Sequence, residues 1–213
     1  GLSLVEITND AGTVVYGSVA NPSSDTPSVS LSGLVPGVAS AQYKIRVSPK
    51  SHVNMPLPPG AIYSVTAKIN SWTGTNPQMG SDTAGTTIII DNTSPSNVTE
   101  ATGNIGNAQV TISWTNPADS DFHSTVILRH IGSSVNDAPT EGTAYVAGNV
   151  IGSATVACVV VTPATTCIDS GLSNGLAYYY KIFSKDINAN YATGVVPASS
   201  PFTPSVTTYT ITA

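Results

Sequence analysis

Apolar and polar positions alternate most regularly between Tyr178 and Lys185, directly after the turn-forming run Ser173, Asn174 and Gly175. Period two puts Tyr178, Tyr180, Ile182 and Ser184 on one face and Tyr179, Lys181 and Phe183 on the other. Lys181 belongs in water, so the first set is expected to face a core and the second to face solvent. Shorter alternations recur along the chain. Residues 2–8 and 13–19 flank Asn9, Asp10 and Gly12, which predicts a hairpin. Strands are predicted over 28–34, over 42–47 with Tyr43, Ile45 and Val47 inward, from Tyr63 through Val65, Ala67 and Ile69, and over 86–90. Further on, 109–114 and 124–130 read as strands. Residues 155–161 and 166–169 read as a hairpin about Pro163, and 195–203 as a closing strand.

Composition agrees with this pattern. Of 213 residues only 9% are charged and 40% are hydrophobic, while Gly and Pro number 18 and 15. Enough apolar residue is present to build a core, and helix formers are scarce, so an all-β chain is expected. The formal charge of −5 argues against nucleic acid, whose phosphates demand basic patches. No apolar run reaches the length of a membrane-spanning helix. The polar, turn-forming stretch from Asp91 to Pro95 divides the chain into 1–95 and 96–204, with 205–213 as a β-prone tail.

Two motifs in the second half carry a family resemblance. Leu172, then Gly175, then Tyr178 opening a long strand resembles strand F of fibronectin type III domains, and Val110 to Trp114 followed by Pro117 resembles their strand B. The resemblance implies a β-sandwich in which Trp114 is buried and the Tyr178 hydroxyl closes a tyrosine corner. Leu57, Gly60 and Tyr63 repeat the spacing, which makes Tyr63 a second corner residue. The fold expected is therefore two tandem immunoglobulin-like sandwiches, the first one strand short, of the bacterial kind found on surface proteins and secreted hydrolases. Gly1 to Glu6 is similar to the processing site of type IV pilins, but Asn9, Asp10 and Gly12 follow where those chains continue as an apolar helix. The start reads as a processed or trimmed terminus of a secreted protein.

Candidate chemistry is sparse. Cys158 and Cys167 lie on the two arms of the expected hairpin and are expected to form a disulfide, with two buried thiols as the alternative. Gly171, Ser173 and Gly175 match the nucleophile-elbow pattern, yet a strand follows where the elbow needs a helix. Asp186, Asn188 and Asn190 offer oxygens at alternate positions, but Tyr191 and Pro197 occupy the glycine and glutamate places of a calcium loop. A turn is the simpler reading, with Asp119 and Asp121 in a neighbouring loop able to share a weak site if the ends converge. His52, His123 and His130 show no ligand spacing. Trp72 and Tyr179 are the best candidates for a sugar-stacking platform. Asn92 and Asn97 head glycosylation sequons. No cofactor is expected, and the chain is read as non-enzymatic.

The tail alternates through Val206, Tyr209 and Ile211. An extra strand at one end and a missing one at the other suggest strand exchange between copies, which builds open filaments. The expectation is an extracellular structural or adhesive protein of a microbial surface, with other copies or neighbouring surface domains as partners. The alternative is a polysaccharide-binding accessory module of a secreted hydrolase.

Overall fold

The structure, a computed structural model, describes residues 1–34, 42–50, 54, 62–69, 71 and 85–206. It is all-β, and the chain divides into two compact units, Gly1–Asn92 and Thr93–Ala213.

In the first unit β1 (Leu2–Asn9) and β2 (Val15–Ala20) form the expected hairpin, and β3 (Tyr43–Pro49) pairs with the other edge of β1. Asn9 explains the turn. Its side-chain oxygen accepts the amides of Thr13 (2.8 Å) and Val14 (3.0 Å), so the side chain substitutes for a backbone partner. Tyr43, Ile45 and Val47 alternate with the exposed Lys44 and Arg46, as their spacing requires. A separate antiparallel pair joins β4 (Tyr63–Ala67) to β5 (Thr86–Ile90), with Tyr63 opposite Ile90 and Val65 opposite Ile88. The strand expected over 28–34 does not form. The segment makes one backbone bond beside β2, from Ser32 to Tyr16 (2.8 Å), and Gly33 turns into the left-handed region, so no ladder develops.

The second unit contains β6 (Thr99–Gly106), β7 (Gln109–Thr115), β8 (Phe122–Ile131), β9 (Val150–Ile151), β10 (Ala154–Val161), β11 (Thr166–Ser170) and β12 (Tyr178–Asp186). They form two antiparallel sheets, β12-β8-β10-β9 and β11-β7-β6. Val110, Ile112 and Trp114 from one sheet and Ile127, Tyr178, Tyr180 and Ile182 from the other share one buried cluster. The face chosen for the core in β12 is therefore the observed one. Phe202 completes this cluster by lying against Gly103, where an added Cβ would come within 2.6 Å of the ring.

Three expectations for this unit need correction. The arms 155–161 and 166–169 are not a hairpin. β10 pairs with β8 and β11 with β7, so the chain changes sheets at Pro163. The closing strand over 195–203 reduces to isolated bridges, Val195 to Ile182 and Phe202 to Tyr178, because Pro197, Pro201 and Pro204 supply no amide hydrogens. The second face of β12 is not wet either. Phe183 is fully buried in a further cluster with Val126, Leu128, Val156, Val135 and Tyr191, covered by the segment between β8 and β9. Asp137 pins that segment by accepting both the amide (3.0 Å) and the hydroxyl (2.8 Å) of Ser153. The Ser153 hydroxyl bond, with the amide bond next, holds the Asp137 carboxyl below its usual range. Gly152, at φ 58°, is needed there, since a side chain would run into the Asp137 carboxylate.

Candidate functional site

A buried polar constellation in the second unit ties its two sheets together. Asp169 points inward from β11, on the same side as Cys167. Arg129 of β8 donates through Nη1 to both Asp169 oxygens (2.8 and 2.9 Å), and the Tyr180 hydroxyl of β12 donates to Oδ2 (2.8 Å). Arg129 also lies 5.8 Å from the centre of the Tyr178 ring. Burial, reinforced by the neighbouring Asp169 charge, pushes the Tyr180 hydroxyl far above the ordinary tyrosine range. Arg129, Asp169 and Tyr180 each find a partner inside the protein, and the arrangement cross-links the two sheets. Sequence reasoning missed the pair because its members are 40 residues apart. The readable signal was a carboxylate at an inward position of a strand, which demands a buried partner.

Tyr178 makes the corner that the family resemblance implied, its hydroxyl oxygen accepting the Ser173 amide at 2.9 Å. Ser173 is thus part of a turn before a strand and not an elbow nucleophile. The corner proposed at Tyr63 would close on Leu57 and Gly60, which lie outside the described residues. Trp114 is buried and donates its ring N–H to Asn116 Oδ1 at 2.7 Å. Cys158 and Cys167 are bonded, and because β10 and β11 belong to different sheets the disulfide is a second inter-sheet tie. Replacing both cysteines by serine is expected to lower the stability of the second unit by about 2–3 kcal/mol, the loop-closure cost for so short a span. Urea unfolding under oxidising conditions measures it, and an unchanged midpoint would refute the tie.

The loops after β7 and β12 do converge at one end of the second unit. Oxygens of Asp121 and Asp186 lie within 4.8 Å of each other. Asp186 is fully buried, and its carboxylate accepts the amides of Asn188 (2.8 Å) and Asn190 (2.9 Å) and the Asn190 side chain (2.7 Å). Those bonds build the turn that the spacing suggested. Asp119 instead binds the Ser96 amide at 3.2 Å. Toward the other end of β8, His130 Nδ1 and Ser133 Oγ are 2.9 Å apart, a pair exposed to solvent, while the Asp137 carboxylate is engaged by Ser153. In the first unit an open polar depression is lined by Ser3, Asn21, Pro49, Lys50 and Asn54.

No aromatic residue among the described ones is exposed. Tyr179 is half-buried and packs against the outer cluster, and Trp72 lies outside the described residues, as do His52, Tyr209 and Ile211. Val206 is exposed. Asn97 is not available for a glycan without breaking structure. Its amide donates to Thr193 Oγ1 (2.9 Å) and accepts the Gly194 amide (2.9 Å), and Asn92 is buried. Among the described residues no helix is long and apolar enough to cross a membrane.

No protein-family model matches the chain, and no curated protein sequence does. A solved structure with some likeness is the spore cortex lytic enzyme SleM of Clostridium perfringens, at 17% identity and a TM-score of 0.35. The match covers 58% of this chain and 35% of that one, so the chain spans about a third of that protein's length. A likeness of this size carries no argument about fold or activity.

Proposed function

We propose that the chain is a non-enzymatic, extracellular structural or adhesive protein of a microbial surface, made of two immunoglobulin-like units of fibronectin type III kind and able to polymerise. The strand order of the second unit, its buried Trp114 and the corner at Tyr178 support the family part of this reading. One observation carries the functional part: the described segment of the second unit begins and ends at opposite poles. Ser96 is held by Asp119 beside the start of β6, whereas Ser205 donates to Gly106 at the end of β6 and Pro204 accepts from Gly175. A unit with chain ends at opposite poles transmits tension along its strands. The disulfide and the Arg129–Asp169 pair then resist separation of the two sheets. Electron microscopy of the full chain and of a form ending at Pro204 tests the proposal. Filaments from the full chain that vanish on truncation are expected. Single particles from both would overturn it.

A further inference from the structure

The outer face of the β11-β7-β6 sheet in the second unit is a regular, uncharged array. Cys167 and Asp169 of β11 and Val110 and Ile112 of β7 are buried, so the residues alternating with them point outward. Antiparallel pairing aligns the outward residues in cross-strand rows, Thr166–Ser113–Thr102 and Ile168–Thr111–Asn104. The β11 and β6 members are exposed, and the β7 members lie half-buried between them. No charged residue stands in these rows, in a chain of net charge −5. The side chains of Thr102, Asn104, Thr111, Ser113 and Thr166 make no hydrogen bond to any described residue. Elsewhere in the unit exposed polar side chains are tied into turns, Asn107 with Asn174, Asp119 with Ser96 and Asp137 with Ser153. Donors and acceptors left free on a paired sheet are already ordered, so a partner gains their bonds without the cost of fixing a loop.

We infer that this face binds a neutral, linear polysaccharide laid across the rows. This rests on the adhesive part of the reading above and names its ligand. Charge favours such a polymer. A face without charge gives an anionic chain no attraction, and against an uncharged one it leaves no buried charge unpaired. Surface chemistry favours it too. The threonine methyls and Ile168, 62% exposed, sit among hydroxyls, and a pyranose ring likewise carries C–H and O–H groups side by side. Shape sets the scale. Three strands spaced as in any sheet make a flat platform about 10 Å across, with same-face residues about 7 Å apart along each strand. A small molecule needs a concave pocket, whereas an extended chain on the surface of a packed polysaccharide meets a flat face over several rings. A protein partner fits less well, because protein interfaces are anchored by tryptophan, tyrosine and arginine, and the rows contain none.

Retention of the full chain on microcrystalline cellulose and on chitin tests the assignment, with a polygalacturonate gel as the anionic control. The natural chain is expected to be held by at least one neutral polymer and not by the control. Thr102→Val, Thr111→Val and Thr166→Val together remove three hydroxyls while keeping side-chain shape and strand preference. Affinity is expected to fall about a hundredfold, near fivefold for each lost hydrogen bond. The matching triple replacement by serine keeps the hydroxyls and is expected to keep most of the binding. Circular dichroism checks the fold of both chains. Asn104→Asp, which adds a charge at an exposed position with little change of shape, serves if the valine chain misfolds. A natural chain held by neither polymer overturns the inference, and filaments persisting in that chain would leave the polymer reading standing. A valine chain held as tightly as the natural one overturns it as well, because a different face then does the binding. So does sedimentation velocity showing that the valine replacements dissolve a dimer, since the face would then belong to a second copy.

Discussion

An Asp169→Ala variant is expected to unfold with about 3–5 kcal/mol less resistance than the natural chain, the usual cost of removing one partner from a buried ion pair. The size follows from what is left behind. Arg129, whose side chain is only 22% exposed, would keep its charge between the sheets with no carboxylate to receive it, and the buried Tyr180 hydroxyl would lose its acceptor. Both groups would then bear desolvation without compensation. The variant that removes both charges, Asp169→Leu with Arg129→Met, is expected to recover most of the loss, because apolar replacement of a whole buried pair is often neutral. Urea unfolding followed by tryptophan fluorescence reports on this unit through Trp114. A single-variant loss below about 1 kcal/mol would show that the pair is solvated like a surface bridge and does not fasten the sheets. The comparison bears on the proposed role, since a filament element under tension would fail where its sheets part.

What the sequence made legible was local, and what it hid was long-range. The period-two run of β12 identified the residues facing the inter-sheet core because one residue, Lys181, fixed the choice of face. The same rule then misplaced Phe183, since a sheet covered on both sides has no wet face at all. The signal for that lay in β8, where Val126, Ile127 and Leu128 are consecutive and all fully buried. Pro163 was correctly read as a turn, but a turn joins strands within a sheet or between sheets, and only pairing with β7 or β8 decides which. The prolines that broke up the closing strand were visible, and their lost donors should have outweighed the apolar alternation around Val195. At the candidate site the two residues that the family resemblance singled out, Trp114 and Tyr178, are buried and hydrogen-bonded, whereas Arg129 and Asp169 escaped notice. Motif spacing reports neighbours along a strand, and the ion pair depends on which strands the fold stacks face to face.

Raising the pH from 10 to 12 is expected to remove about 5 kcal/mol of stability from the second unit, by linkage through two tyrosines. Both Tyr180 and Tyr191 are held well above the ordinary tyrosine range, in each case first by burial and then by neighbouring groups, Asp169 for one and the Tyr145 phenol with Glu141 for the other. A tyrosine in the unfolded chain ionises near pH 10, while these two keep their protons when folded. Above pH 10 the unfolded chain therefore binds fewer protons than the native one, and stability falls by about 1.4 kcal/mol per pH unit for each group. The stabilisation is complete below pH 10 and declines above it, the opposite direction from a carboxylate pair lost in acid. Given total stabilities of about 5–15 kcal/mol for ordinary domains, the drop reaches the scale of unfolding. Urea midpoints between pH 9 and pH 12, paired with phenolate absorbance, measure both sides of the linkage, with Tyr180 and Tyr191 titrating only as the unit opens. A Tyr191→Phe chain, whose ring keeps its packing against Tyr145 but has no proton to lose, is expected to halve the slope. A flat profile to pH 12 would mean that Tyr180 and Tyr191 ionise in place, and that the hydroxyl of Tyr180 is not the buried donor that completes the tie to Asp169.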